Sequence, residues 1–413
     1  MERFYLEYEI DENDELSEIS NENKKSIITF TKLNRYFLII FSCPIIGMLG
    51  NLFILFILGT KIVLKLEFVF SVYNSLAFFL AGLFHFISYS GVNLKKSNSS
   101  FFNNGNNNLG NIKLYKKDIV NKCDTYKIII FIILLSLILS IRCLLYNFFY
   151  QNNIFERRMF NFLFVPLFSK FILKENIYKH QYFSLIISII GIIFILIPVC
   201  LVLSTGDIVA NICNFINGIL YSLFLVIIKY LIEKFYISPL KIGFLIGIIS
   251  LFINCIGYII YSLIKYNDLS YFIDCFDLSQ EENKLKISIY IILSILFSII
   301  FQLLTLLALF YFSPSLVIIT DALDPFLCWI VDIIMDGGEI PDVVLYPIGY
   351  TLLLFSALIF NEIIIFNFCG LNKNTKKFVN ERINSEMEKI QKNMNDINSN
   401  EDEDDKKLVS IND

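Results

Sequence analysis

The chain has 413 residues, of which 56% are hydrophobic, 16% aromatic and 17% charged, with a formal net charge of -4. Soluble globular proteins carry about 25% charged residues, so the composition excludes an ordinary soluble domain. Apolar runs of about 20 residues follow one another, which predicts an all-α polytopic membrane protein. Most of the negative charge lies in the two tails, so it indicates no nucleic-acid partner.

The chain begins with a polar, acidic tail at residues 1–33, which is expected to be cytosolic and carries no pattern of a cleavable signal peptide. Two repeats of five helices are predicted at 34–203 and 207–368, and the first contains an Asn-rich loop at 93–125. Residues 369–413 are charged and predicted to be largely disordered. The ten predicted spans cover residues 34–59, 67–91, 126–149, 155–173, 181–203, 207–231, 240–264, 287–311, 314–335 and 343–368.

The distribution of basic residues favours one orientation in the membrane. If the N-terminus is cytosolic, the cytosolic loops hold most of the lysines and arginines, whereas the loop after span nine carries only acids. Both termini are therefore expected in the cytosol, as an even number of spans requires. The sequon Asn98-Ser99-Ser100 then lies in the cytosol and is expected to stay unmodified.

Nine cysteines and two histidines form no metal-binding pattern. No Cys-x-x-Cys occurs, and most cysteines fall in apolar runs, where cysteine acts as a small hydrophobe. Cys123 and Cys275 lie in loops expected on opposite sides of the membrane, so they should not pair. Two histidines are too few for a zinc site. We expect no metal and no cofactor.

Two acids, Asp321 and Asp324, lie in the middle of span nine. Carboxylates at that depth cost about 2.5–3.5 kcal/mol each, and they usually face a cavity or a basic partner. A spacing of three residues puts them on one helical face, and Pro325 frees a carbonyl in the same turn. They are candidates to bind a proton, a cation or a cationic group of a solute. Alternatively, they are neutralised by protonation or a basic partner and only fix helix packing.

Three basic residues are expected inside spans: Arg142, Arg158 and Lys229. Arginine is a fixed cation that binds carboxylate or phosphate through two hydrogen bonds, so the two arginines would orient an anionic group. The alternatives are that one of them pairs with an acid of span nine, or that Arg158 snorkels to the membrane interface. Lys229 lies one turn before the cytosolic end of span six, where it either lines the site or snorkels to the interface. Gln302 and Trp329 complete the candidate substrate- or ion-binding set.

The two halves share spaced features that indicate an internal repeat. Pro166 and Gly191 are 25 residues apart in the first half, and Pro325 and Gly349 are 24 apart in the second. Five spans per half is an odd number, so the halves would have opposite orientations. This is the inverted-repeat architecture of secondary transporters, with the site near the membrane midplane. The polar residues that precede the two prolines by 24 and 23 positions are Arg142 and Gln302.

The segment "PLFSKFILKENIYKHQYFSLIISIIGIIFIL", residues 166–196, resembles the end of span four through span five of the drug/metabolite transporter superfamily. More specifically, the chain is similar to the F-type branch of solute carrier family 35. "FERRMF" puts Arg158 where that branch often has an arginine, and "TDALDPFLCW" matches its span nine at Asp321 and Trp329. The pattern departs at Asp324, where the branch has an arginine, so a positive position is negative here.

This resemblance implies ten helices in two inverted five-helix repeats and a secondary-active transporter of a small organic metabolite, of the nucleotide-sugar, drug or metabolite type. Transport would proceed by alternating access, with proton coupling and exchange both left open. The expected partners are the solute and the lipid bilayer, a homodimer stays open, and an endomembrane (Golgi, ER, lysosome or vacuole) is expected rather than the plasma membrane. The alternative is a non-transporting receptor or scaffold that keeps the fold. An enzyme is not expected, because no nucleophile–base set occurs in the spans.

Overall fold

The structure is a computed structural model of the chain, and most of its described residues are helical. Five of the described helices are long and apolar enough to cross a membrane. The prediction of a mostly helical protein with several apolar helices is therefore confirmed, and the five helices fit an integral membrane protein. The structure describes residues 28–30, 45–47, 49, 72–84, 122–151, 158–202, 205–267, 284–319, 323, 330, 340–366, 371, 375, 378, 379, 382 and 385.

The described helices between residues 50 and 361 lie in predicted spans two to ten, in chain order. They are α1 (Val72–Phe84), α2 (Lys122–Gln151), α3 (Asn161–Phe168), α4 (Lys179–Val202), α5 (Thr205–Phe235), α6 (Pro239–Tyr266), α7 (Lys284–Tyr311), α8 (314–319) and α9 (Ile340–Phe360). Their ends follow local chemistry. For example, α6 begins with Pro239 at its first position, where the missing N–H costs nothing, and ends at Asn267 in the left-handed conformation.

The α3 region, as we name residues 158–173, is the described part of predicted span four and is helical throughout. A 3₁₀ turn, Arg158–Phe160, leads into α3, and a π-helical turn, Ser169–Leu173, continues it. Together they cover residues 158–173, about 24 Å at 1.5 Å per residue, against a hydrocarbon core of about 30 Å. Lys174 closes the segment in the left-handed conformation.

Helix α2 is apolar on all sides, as expected for a helix in a bilayer rather than at the surface of a soluble protein. One side is buried against α5 and α6 and includes Leu135, Leu139 and Cys143. The opposite side is exposed yet equally apolar, which is the pattern of a lipid-facing surface. The exposed large side chains of α2 include Ile129, Ile130, Ile133, Leu137, Ile141 and Leu144.

Helices α2 and α5 pack antiparallel. The ring of Phe131, near the start of α2, lies 5.5 Å from the ring of Tyr230, near the end of α5. Toward the other end of the pair, Arg142 of α2 contacts Asn217 of α5. The contact positions therefore rise along one helix as they fall along the other.

Helices α1 and α6 also cross antiparallel, at two glycines. A Cβ at Gly82 of α1 would lie 2.6 Å from the Cβ of Phe244 in α6. A Cβ at Gly247 of α6 would lie 2.8 Å from the Cβ of Phe79 in α1. Real Cβ atoms almost never approach so closely, so both positions need glycine. The two phenylalanine rings meet at the crossing, 5.3 Å apart.

Helices α4 and α9 form a third antiparallel pair, and its crossing consists of the two glycines of the predicted repeat. A Cβ at Gly191 would lie 3.0 Å from the carbonyl oxygen of Gly349, and a Cβ at Gly349 would lie 2.8 Å from the carbonyl oxygen of Gly191. Toward the start of α4 and the end of α9, the Gln181 amide donates to the carbonyl of Phe360 at 3.3 Å.

A short sheet was not predicted. Strand β1 (Ile28–Phe30) pairs antiparallel with β2 (Ile364–Phe366), with Ile28 opposite Phe366. The predicted end of span ten at residue 368 is therefore wrong, since α9 ends at Phe360 and a turn leads into β2. The physical reason is Glu362, whose positive φ of 58° breaks the helix although the sequence stays apolar.

Candidate functional site

The structure describes the predicted site residues unevenly. Asp321, Asp324 and Trp329 lie outside the described residues, so the binding role predicted for them stays a prediction. Arg158 lies in the 3₁₀ turn before α3, where the backbone is described. Arg142, Lys229 and Gln302 are described with their side chains.

Arg142 lies in α2 and is only 5% exposed. Its Nε donates a hydrogen bond of 3.0 Å to Oδ1 of Asn217 in α5. The centre of its guanidinium lies 4.2 Å from the centroid of the Tyr221 ring, one turn further along α5. Residues four apart share a helical face, so one face of α5 supplies both contacts. The cation is thus held by an amide oxygen and by the negative face of an aromatic ring.

More buried polar groups extend this contact to α3. Ser222, next to Tyr221, donates to Oδ1 of Asn161 in α3 at 3.4 Å. Gly218 of α5 permits this approach, because a Cβ there would lie 2.8 Å from the Cβ of Phe160. The Arg142 cluster, as we name it, brings together α2, α3 and α5. Its members are Arg142, Asn161, Asn217, Tyr221 and Ser222.

The Arg142 cluster lies within the apolar part of the bundle. The apolar window of α2 is Thr125–Leu145, with its middle at residue 135. Arg142 is seven positions beyond that middle, about 10 Å along the helix axis. A guanidinium has five N–H donors in a planar fork that fits a carboxylate or a phosphate. Chemically, the cluster is suited to bind an oxyanion that has left water.

Lys229 makes a different kind of contact. Its Nζ donates to the carbonyl oxygens of Leu309 and Phe310, at 3.0 and 3.4 Å, and lies 3.5 Å from Glu233. Both carbonyls belong to the last turn of α7, where main-chain oxygens lack helical donors and the helix dipole is negative. Lys229 follows Asn217 by twelve positions, about 18 Å along α5, so it is not part of the Arg142 cluster.

Gln302 is half-buried in α7. The cluster residues that sequence reasoning did not single out are those of α3 and α5. Asn217 and Tyr221 lie on a face of α5 that also carries Asn214, which is buried too. Amides spaced three apart and followed by a tyrosine one turn on are the signal that would have found this face. This pattern was not predicted from the sequence, because asparagine and tyrosine are abundant throughout the chain.

The described part of the chain contains no group of three or more His, Cys, Asp or Glu side chains that could hold a metal ion. No protein-family model matches the chain, and no curated protein matches it. The resemblance to the drug/metabolite transporter superfamily therefore stays a prediction.

Proposed function

We propose that this chain is a secondary-active transmembrane transporter of a small organic metabolite, working by alternating access between two inverted five-helix repeats. The observation that carries the proposal is the reciprocal contact between α1 and α6. Phe79 and Gly82 form a Phe-x-x-Gly motif in α1, and Phe244 and Gly247 form the same motif in α6. Each glycine packs against the phenylalanine of the other helix.

A twofold axis produces such an exchange of contacts. If Phe79 of α1 touches Gly247 of α6, then their symmetry equivalents, Phe244 of α6 and Gly82 of α1, also touch each other. Helices α1 and α6 lie in spans two and seven, the second span of each proposed repeat. Helices α4 and α9 lie in spans five and ten, the fifth of each, and Gly191 and Gly349 contact each other's carbonyls in the same reciprocal way. Two equivalent pairs, both antiparallel, support an axis in the plane of the membrane.

The directions of the helices support the number of spans. Because α2 and α5 are antiparallel, the chain between them crosses the membrane an even number of times. That stretch holds α4, a candidate membrane span, and the short α3 region. The α3 region is therefore the second crossing that this count requires. Likewise, α4 and α9 are antiparallel, so the chain between them must cross the membrane an even number of times. Helices α5, α6 and α7 would supply three crossings. A fourth is therefore needed, and predicted span nine, in which α8 lies, would supply it.

The Arg142 cluster supplies the site for the solute in this proposal. An ionisable residue inside a membrane span is expensive and usually lines a substrate pathway or pairs with another charge. An oxyanion of the solute would lie against the Arg142 guanidinium, with the side-chain amide of Asn217 beside it. Asp321 and Asp324 keep the role proposed from their depth in the membrane, which is to bind a proton, a cation or a cationic group of the solute, and Arg158 keeps that of a second anion-binding group. Placement in an endomembrane with both termini cytosolic belongs to the same proposal.

Reconstitution in liposomes tests the proposal. We expect saturable flux of at least one class of small organic anion, and we expect Arg142→Gln to reduce that flux tenfold or more. A tenfold loss corresponds to about 1.4 kcal/mol, which is within the range of one hydrogen bond to a charged group. Lys170→Gln is the matched control, because it removes an exposed cation whose described partner is Tyr182 in α4.

Two results would count against transport. One is a folded, monodisperse protein that moves no anionic, neutral or cationic solute, which would favour a receptor or scaffold. The other is a flux that Arg142→Gln and Lys170→Gln change equally, which would move the site away from the Arg142 cluster.

A further inference from the structure

A second polar feature lies outside the Arg142 cluster, where α3, α4, α8 and α9 meet around a small cavity. Its described lining includes four serines, Ser184 and Ser188 from α4, Ser315 from α8 and Ser356 from α9. All four are buried. We name this feature the serine cavity, and its free space is about that of one water molecule.

Three of the four hydroxyls have protons engaged inside the protein. Ser188 and Ser356 both lie within hydrogen-bond distance of the Ser184 carbonyl, at 3.3 and 3.1 Å, and they also contact each other. Ser315 donates to Oδ1 of Asn361 at 3.2 Å. A hydroxyl has one proton and two lone pairs, so these oxygens can offer the cavity lone pairs rather than protons.

The fourth hydroxyl, that of Ser184, is a candidate ligand atom. The Oγ of Ser184 is fully buried, and among the described residues it has no hydrogen-bond partner. A buried hydroxyl with no hydrogen-bond partner carries a desolvation penalty, which a bound ligand would offset. Pro166, which also lines the cavity, has no N–H and leaves the carbonyl of Phe162 without its helical donor. Oxygen acceptors therefore accumulate around this space.

We propose that the serine cavity binds a monovalent cation of the size of sodium. Hard cations prefer hydroxyl and carbonyl oxygens, and helix breaks in secondary transporters offer such groups to sodium. Among the described residues that line the cavity there is no carboxylate, which Ca²⁺ sites normally include, so this part of the lining fits a single positive charge better than two. An anion is disfavoured, because the oxygens present lone pairs. A buried water molecule is the competing occupant.

The site joins spans four and five of one proposed repeat to spans nine and ten of the other. Bound cation would hold these four helices together, so its binding energy would favour one state of the transport cycle. This coupling role rests on the transport proposed above, whereas binding of the cation does not.

Binding of radioactive ²²Na⁺ to the purified full-length protein, in choline chloride at constant ionic strength, tests the inference. We expect saturable binding that unlabelled Na⁺ displaces better than K⁺, and a rise in the thermal midpoint when NaCl replaces choline chloride. Ser184→Ala should weaken binding about tenfold or more. Ser140→Ala is the matched control, because the Ser140 Oγ is also buried without a partner in the described structure but does not line the cavity.

If Ser184→Ala is not recovered folded, Ser184→Cys keeps a side chain of similar shape and replaces a hard oxygen with a soft sulfur, so it should lose sodium as well. The absence of saturable ²²Na⁺ binding, or equal binding by the Ser184 and Ser140 variants, would overturn the inference and leave water as the occupant. Binding without flux would contradict only the transport proposal. Flux without sodium binding would contradict only this inference.

Discussion

At the scale of single residues, two buried cations have different surroundings and therefore different expected roles. Arg142 meets side chains, an amide and an aromatic ring, in the interior of the bundle. Lys229 meets two main-chain carbonyls at the end of a helix. Side-chain contacts can rearrange to admit a solute, whereas carbonyls that end a helix stay fixed. We accordingly assign binding to Arg142 and helix anchoring to Lys229.

The first prediction concerns the ring beneath Arg142. Tyr221→Phe keeps the aromatic face and Tyr221→Leu removes it, so the leucine variant should be less stable, by about 2 kcal/mol if the contact is fully desolvated. Denaturant titration of each variant in detergent measures the difference in unfolding free energy. In an Arg142→Met background the gap between the two variants should largely close, as a double-mutant cycle requires. A gap that persists would mean that the ring stabilises the fold without the cation.

The second prediction concerns Lys229. Lys229→Met keeps the aliphatic stem but removes the ammonium from the Leu309 and Phe310 carbonyls, so we expect a loss of about 1.5–3 kcal/mol of unfolding free energy. Lys234→Met serves as control, because Lys234 lies at the exposed end of the same helix, over the ring of Tyr230. Comparable losses in both variants would show that the carbonyl contacts contribute little.

At the scale of helices, the sequence is most informative where the spacing of residues carries the prediction. Gly191 and Gly349 were predicted to be equivalent from their distances to two prolines, and they contact each other. The equivalence of the two Phe-x-x-Gly motifs was not predicted, because such a motif is not informative in a chain with 42 phenylalanines. Strand β1 has three residues, too few for an alternating pattern, and its partner β2 lies within an apolar run that the sequence extends as helix.

The third prediction tests the glycine crossing. Gly82→Ala and Gly247→Ala each force a methyl group against the backbone of the facing helix, so each should cost about 1–3 kcal/mol through overpacking. The twofold relation further predicts that the two losses are similar. Gly257→Ala, in the same helix as Gly247, is the control, because no atom lies within 4 Å of its added Cβ.

Alanine is the better helix former, so Gly257→Ala should be neutral or stabilising by up to about 1 kcal/mol. Thermal unfolding in one detergent compares the three variants directly. A large loss at only one of Gly82 and Gly247 would contradict the reciprocal crossing and weaken the case for inverted repeats.

At the scale of the whole molecule, the antiparallel packing of α2 and α5 has a consequence for the α3 region. Its described residues, 158–173, cover about 24 Å, which is less than the hydrocarbon core of about 30 Å. The antiparallel packing of α2 against α5 nevertheless requires a crossing between the end of α2 and the start of α4. The start of α2 and the turn after α3 should therefore lie on the same side of the membrane, and the end of α6 should lie on the other.

The fourth prediction makes this arrangement measurable with a membrane-impermeant thiol reagent on sealed vesicles of one orientation. Thr125→Cys, at the start of α2, and Asn176→Cys, after α3, are at exposed positions and should react from the same side. Asn267→Cys, at the exposed end of α6, should react only from the opposite side, because three crossings separate it from Asn176. Natural cysteines that react are first replaced by serine. Reaction of the Thr125 and Asn176 variants from opposite sides would mean that the α3 region does not cross. The proposed five-helix repeat would then lose a span, and the two halves would no longer be inverted.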